Sequence, residues 1–454
     1  MSFLLNLIRV PARFVGVLWG GLVDLFRLLG LVVSSLSGDQ GTVKSRIAGR
    51  LTSTQGQLLV FGVLRVFRAN LVIGKSLVKA YENKGTAIVT RFADVKEVLD
   101  READFAVVYE PRMRRITAGD NFFLGMQNSP AYQHNVSVMR LAARWEDVDQ
   151  IVSPFIEQRA AAVVASSDGR IDVPAQLTLP VIAQMVGRYF GTPGPSEGDM
   201  IQWTSLMFWY LFIDLGADPE VDRKTLAAAA ACREYLDRTI ADRKANPTSD
   251  DDVLNRCLDL QRAGTLGFDD LAIRNNLIGL VIGAIPTISR AAVQALDQLL
   301  DRPAMLRKAQ EAARGNDVET LGRYCFESLR FNPINPVIYR RALRDCTIAD
   351  GTLRARLIPG GSMVFAANLS AMFDAWELNS PRSFRIDRPW EHYMLWGYGL
   401  HTCFGQHINR AAIPLVLRPL LAGGELHRAD GAAGRIDTEG MPFPAHLWLE
   451  IDRG

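Results

Sequence analysis

The sequence predicts a mainly α protein with a small β region. Long segments of helical apolar periodicity fill its middle, over residues 136–165, 172–192 and 270–300. Strand-like pieces such as "VIYRRAL" and "SMVFAAN" alternate with turns only from about residue 337 onward. With 48% hydrophobic and 22% charged residues, the 454-residue chain has the composition of a packed globular protein.

The first 33 residues are strongly apolar, yet Arg9, Arg13, Asp24 and Arg27 interrupt them, so no uninterrupted run reaches the roughly 20 residues of a spanning helix. At 100° per residue Asn6, Arg9, Arg13, Asp24 and Arg27 share one helical face, and Pro11 is expected to kink or divide the segment. An amphipathic helix of this kind lies in a membrane interface, docks on a partner or packs on its own domain. A polar stretch, "SSLSGDQGTVKSR", reads as a linker. The expected organisation is residues 1–45 as apolar segment and linker, and 46–454 as one domain.

"AIVTRFADVKEVLD" reads as strand, turn and helix. "DMIQWTSLMFWYLFIDLG" reads as an aromatic-rich helix pair or helix-loop. In "ANPTSDDDVLNRCLDLQRAG" a charged loop opens a helix, with Ser249 and Asp250 as cap candidates. Residues 270–300 read as a buried central helix. "DVETLGRYCFESLRFNP" is a further helix, stopped by Pro333. "INRAAIPLVLRPLLAG" returns to helix near the end.

With 51 basic and 49 acidic residues the chain has no nucleic-acid footprint. Its five cysteines, Cys232, Cys257, Cys325, Cys346 and Cys403, are scattered and form no CxxC or CxxH, which suits a reduced compartment and argues against a disulfide or zinc framework. The cytoplasm is the expected location, with peripheral membrane association through residues 1–33 as a further option.

One loop stands apart. "WGYGLHTCFG" sets Gly397, Gly399 and Gly405 around Cys403 and His401. Upstream, Glu327 and Arg330 stand at i and i+3 on a helix, where they share a face. Arg388 follows in "FRIDRP". Together these motifs resemble the cytochrome P450 superfamily. The loop follows that family's Phe-Gly-x-Gly-x-His-x-Cys-x-Gly pattern except that Trp396 replaces phenylalanine. Glu327-Ser328-Leu329-Arg330 matches its Glu-x-x-Arg helix, and Arg388 matches the third member of that structural triad. The resemblance covers roughly residues 80–450.

It implies a cytochrome P450-like fold holding haem b (iron protoporphyrin IX), with Cys403 as axial thiolate ligand. His401 corresponds to a haem-propionate histidine. Arg341, or Arg340 if the register slips by one, corresponds to a propionate arginine, and Arg140 is a further propionate candidate. His134, six residues before Arg140, departs from the family's His-x-x-x-Arg spacing and reads as a surface or satisfied histidine.

The family's central helix has an Ala/Gly-Gly-x-Asp/Glu-Thr motif, whose acid and alcohol help relay protons. Here "IGAIPTIS" keeps Gly283, Ala284 and Thr287, but Pro286 stands where the acid belongs, and proline has neither an acidic proton nor a backbone N–H. Thr287 with water can serve as the relay. Alternatively the oxygen source is already reduced, as in a peroxygenase or a hydroperoxide isomerase. The arginine that precedes proline in the fatty-acid peroxygenase branch is replaced by Ile285.

The resemblance places Phe122, Phe123, Met126, Met207, Phe208, Val337 and Ile338 in pocket-lining regions, which implies a hydrophobic, lipid-like substrate. Three functions follow: a monooxygenase fed by a ferredoxin-type electron donor, a peroxide-using enzyme without an electron partner, or a non-catalytic haem-binding subunit.

Overall fold

The computed structural model describes residues 2–37 and 42–452, with residues 2–13 as backbone alone. It is mainly helical with small sheets, as the sequence predicts. The chain forms two compact units, one of Met1–Val78, Glu82–Ala106 and Arg330–Thr402, the other of Lys79–Tyr81, Val107–Leu329 and Cys403–Gly454. The strands, in chain order, are β1 (Asn70–Ile73), β2 (Gly85–Val89), β3 (Phe105–Ala106), β4 (Arg170–Asp172), β5 (Ile338–Ala342), β6 (Cys346–Ile348), β7 (Arg356–Ile358), β8 (Ser362–Ala366), β9 (Glu425–Arg428) and β10 (Trp448–Asp452).

In the first unit the sheet order is β1-β2-β8-β5-β3, and β6 pairs with β7. β2 and β8 run parallel, with Val89 opposite Ala366, and the other pairings in this sheet are antiparallel. Val89, Val95, Leu99, Val364 and Met372 build the core beneath it.

The same unit includes the helices α1 (Ser2–Ser34), α2 (Val43–Thr52), α3 (Thr54–Phe67) and α4 (Phe92–Asp100). α1 runs through Pro11 without dividing, contrary to expectation. The proline removes one N–H from the helical ladder, and the helix continues past it to Ser34. The polar face expected on this helix is also corrected. Asp24 is buried against α3, where a Cβ on Gly62 would overlap its carboxylate, and it pairs with Arg382 at 2.5 Å. Gly21 allows the same close approach, since a Cβ there would come within 2.8 Å of Val66. Arg27 is exposed, and the side chains of Asn6, Arg9 and Arg13 lie outside the described residues. Phe14, Trp19 and Phe26 point to solvent. The helix thus packs on its own unit by one edge and leaves an apolar face uncovered. The linker is shorter than expected, because Thr42 already caps α2 by accepting from the Ser45 N–H.

The second unit is built on the central helix Asp270–Leu300, packed by helices Leu179–Phe190, Glu197–Phe208, Pro219–Ala245 and Gln406–Ala422. Asp269 caps it, accepting from the Ala272 N–H at 2.8 Å. The helix passes through Pro286 unbroken. The proline removes one N–H from the ladder, and burial on nearly every side holds the remaining turns in place. The three-stranded sheet β4-β10-β9 closes this unit. Before helix Val253–Arg262 the cap is Asp252, which accepts from the Asn255 N–H at 2.7 Å, rather than Ser249 or Asp250.

Candidate active site

The loop 396–405 crosses from the first unit to the second between Thr402 and Cys403. In the first unit, Trp396 ends a 3₁₀ turn and Gly397 follows with φ +80°; Gly399 has φ +71°, and a Cβ there would lie 2.9 Å from the Leu99 carbonyl. Glycine is required at both positions. Gly405 has an ordinary φ and room for a Cβ, so its glycine is not explained by local crowding.

His401 has its pKa lowered to about 4, first by burial and then by the charge of Arg340. Arg340 is buried, whereas its neighbour Arg341 is half-buried on the other face of β5. Of the two candidate arginines, Arg340 shares the surroundings of His401. Ile338 lies beside Gly397, 3.6 Å from where its Cβ would be.

Behind this loop, Arg330 and Arg388 are buried and saturated with carbonyl acceptors. Arg330 donates to Met372 at 3.0 Å, Pro381 at 2.7 Å and Ser383 at 3.2 Å. Arg388 donates to Asn379, Ser380 and Ser383, each at 2.9 Å. Two guanidinium groups therefore converge on one carbonyl and fix the segment leading into the loop. Glu327 is fully buried on the same helix as Arg330.

In the second unit, burial raises the pKa of the Cys403 thiol, while the Gly405 N–H and the Arg140 charge oppose that rise. The residue nonetheless keeps some accessible surface. Gly405 precedes helix Gln406–Ala422, so the thiol also sits at a helix N-terminus, which favours the thiolate.

Arg140 has a role the sequence did not show. It donates to the Phe404 carbonyl at 2.9 Å, meets His407 Nε2 at 3.2 Å and lies 3.8 Å over the Phe404 ring. It braces the thiol loop through these contacts. His407 was missed altogether, although its place one helical turn past Cys403 could have drawn notice. Its ring stacks on Trp145 at 5.3 Å. His134 is half-buried, and its Nε2 is enclosed without a hydrogen-bond partner among the described residues.

On the central helix, Gly283 is exposed and a Cβ there would meet nothing within 4 Å. Thr287 donates its hydroxyl proton back to the Gly283 carbonyl. Its oxygen lone pairs remain available as acceptors. Ala284 and Pro286 are buried beside it.

Of the expected pocket residues, Phe122 is packed against the central helix, where a Cβ on Gly279 would come within 2.7 Å of its ring. Phe123 packs 5.1 Å from Phe404, and Met207 is completely enclosed. All three are almost fully buried. Phe208 meets Phe443 edge-on at 5.8 Å. Met126 and Ile338 keep partial exposure, and Val337 is buried.

Comparison with known proteins agrees with this architecture. The cytochrome P450 family model matches residues 197–427, just over half of the chain. The mycinamicin VIII C21 methyl hydroxylase of Micromonospora griseorubida is 22% identical over 75% of this chain and 84% of its own length. A steroid C26-monooxygenase of Mycolicibacterium smegmatis is 28% identical over 55% of this chain and 58% of its own. The solved structure of P450BioI in complex with hexadec-9Z-enoic acid-ligated acyl carrier protein superposes with a TM-score of 0.74 at 18% identity, covering 88% of this chain and 98% of that one. The chain belongs to the cytochrome P450 family. It is a haem-thiolate monooxygenase, and its cofactor is a haem iron.

The residues present fit that group. A cysteine with a peptide N–H and an arginine opposing its protonation suits a thiolate ligand. Gly283 leaves an open face midway along an otherwise buried helix.

Proposed function

We propose that this protein inserts one oxygen atom into a hydrophobic, lipid-like small molecule, using dioxygen and electrons from a ferredoxin-type donor. The cofactor is haem b. Cys403 would hold its iron, and His401 with Arg340 would receive its propionates. When bound, the haem with its thiolate ligand supplies the oxygen-transfer chemistry. The protein supplies the rest. The Gly405 N–H and Arg140 stabilise the sulfur in its anionic form. Gly283 keeps space open on the central helix, and Thr287 accepts a hydrogen bond from water delivered there.

The observation that carries this reading is the pairing of the Cys403 environment with the open Gly283–Thr287 face. Cys403→Ala is expected to abolish the thiolate-specific absorption of the reduced, carbon monoxide-bound protein. A variant that kept that absorption would remove Cys403 from its role.

Pro286 favours a second reading, in which hydrogen peroxide or a lipid hydroperoxide replaces dioxygen and electrons. No acid stands beside Thr287 in the sequence to deliver protons. Purified holoprotein supplied with either a surrogate ferredoxin system or peroxide decides between them. Product formed only with dioxygen and electrons supports the monooxygenase. Product formed with peroxide alone overturns it.

We further propose that the uncovered face of α1 rests on a lipid surface, which gives access to apolar substrates from a cytoplasmic location. Phe14–Ser34 is long and apolar enough to cross a bilayer, but the buried Asp24–Arg382 pair ties it to its own unit. Trp19→Glu with Phe26→Glu is expected to release the protein from sedimenting vesicles. Equal sedimentation of both forms would reject the contact.

A further inference from the structure

From Asn275 to Leu296 every residue of the central helix is buried except Gly283 and Arg290. The two are seven residues apart, which places them nearly in line on one face two turns apart. The residues that retain a trace of accessibility fall on the same face. Leu280, Ala284, Thr287 and Gln294 each show 8%. With Gly283 and Arg290 they span an arc of about 120° at 100° per residue. These residues form one continuous accessible stripe of the helix, and Arg290 is its cation.

Arg290 differs from the other buried arginines of its unit. Arg112 pairs with Asp214 at 3.0 Å, and Arg256 pairs with Asp147 at 2.5 Å. Among the described residues no carboxylate pairs with Arg290. The Phe443 ring lies 5.9 Å from its guanidinium carbon. Burial alone acts on it, lowering its pKa to about 10 with no acid to offset the loss of water. One turn further along the stripe, the Gln294 side chain is also buried, and its Oε1 has no hydrogen-bond partner. An unpaired charge and an unsatisfied amide side by side in a packed interior are costly unless a ligand completes them.

We propose that Arg290, with Gln294 beside it, binds the carboxylate of a carboxylic-acid substrate whose apolar body lies along the Phe443 and Phe208 rings. A guanidinium offers a planar fork of two parallel N–H donors that matches a carboxylate. A single buried cation balances one negative charge. A phosphate dianion would leave the second charge uncompensated, and a neutral alcohol or ester would leave the cation unpaired. The acid group is held seven residues from Gly283, so the part of the molecule presented to the reactive face is a carbon along the chain, not the carboxylate. This assignment deepens the oxygenase reading and rests on it for the purpose of the site.

Isothermal titration of the haem-loaded protein with decanoate, decanamide and 1-decanol tests it. Decanoate is expected to bind the wild type at least about tenfold more tightly than either neutral probe. Arg290→Gln is expected to erase that preference while leaving 1-decanol affinity within about twofold, and Arg290→Lys to restore part of it, because lysine keeps the charge but not the fork. Equal affinities for acid and alcohol in the wild type would overturn the proposal, and this comparison needs no variant to fold. An Arg290→Gln protein that loses all three probes equally would also overturn it. The carbon monoxide difference spectrum of the same samples separates the two readings. An intact thiolate spectrum without acid preference sinks the carboxylate site alone. Acid preference without that spectrum keeps the site and sinks the oxygenase.

Discussion

Arg330 and Arg290 are both cations on helices, and they are treated in opposite ways. Arg330 in the first unit donates to three carbonyl oxygens and stacks 4.5 Å from the rings of Phe331 and Phe373. Its neighbour Arg388 shares one of those carbonyls. Arg290 in the second unit has an aromatic ring at 5.9 Å and, among the described residues, no carboxylate. A protein whose cation is saturated by its own backbone is using it to hold a fold together. A cation left without an anion, on the accessible stripe of an otherwise sealed helix, is placed to hold something else.

The largest expected effect breaks the first half of this comparison. Arg330→Leu strands the Met372, Pro381 and Ser383 carbonyls in a dry interior, and is expected to lower unfolding stability by more than about 3 kcal/mol. Urea unfolding followed by far-ultraviolet circular dichroism measures it. A loss below about 1 kcal/mol would mean that the carbonyls find other donors, and the arginine would not be the clamp described.

Arg290→Leu sharpens the second half. It removes a charge that nothing neutralises, so stability without ligand is expected to stay level or to rise by up to about 2 kcal/mol. The same urea measurement applies. If Arg290→Leu costs as much as Arg330→Leu, both arginines are structural and the contrast collapses.

The clamp was legible in the sequence and the stripe was not. Glu327, Arg330 and Arg388 belong to motifs with fixed spacing, and the loop leading to Cys403 carries Gly397 and Gly399 at positions where a positive φ demands them. Arg290 carries no such mark. In a helix that is apolar nearly all round, periodicity defines no face, and only packing shows which residues remain accessible. The same limit applies to Arg340 and Arg341. Alternation along a strand puts them on opposite faces, but the side that meets His401 depends on how β5 pairs with β8. Asp24 misled for a related reason. A helical wheel cannot separate a solvated carboxylate from one paired with Arg382, more than 350 residues later in the chain.

The smallest expected effect concerns a charge pair that is neither saturated nor abandoned. Asp172 at the end of β4 is buried and accepts from the Leu447 N–H at 3.0 Å, and His446 Nδ1 lies 2.5 Å from its other oxygen. The hydrogen bond to Asp172 raises the pKa of His446, against a smaller opposing effect of burial. A histidine whose folded pKa is raised contributes its full stabilisation below the unfolded value of about 6.5, and that contribution disappears as pH rises through the folded value. The His446 side chain is 39% exposed, so solvent screens the pair and the loss is expected to stay below about 1 kcal/mol. Stability measured from pH 6 upward should therefore fall slightly in the wild type and lose that component in His446→Gln. An identical slope in both proteins would show that the pair is fully screened. The ranking then stands on a single physical variable, which is how completely the protein itself answers each buried charge.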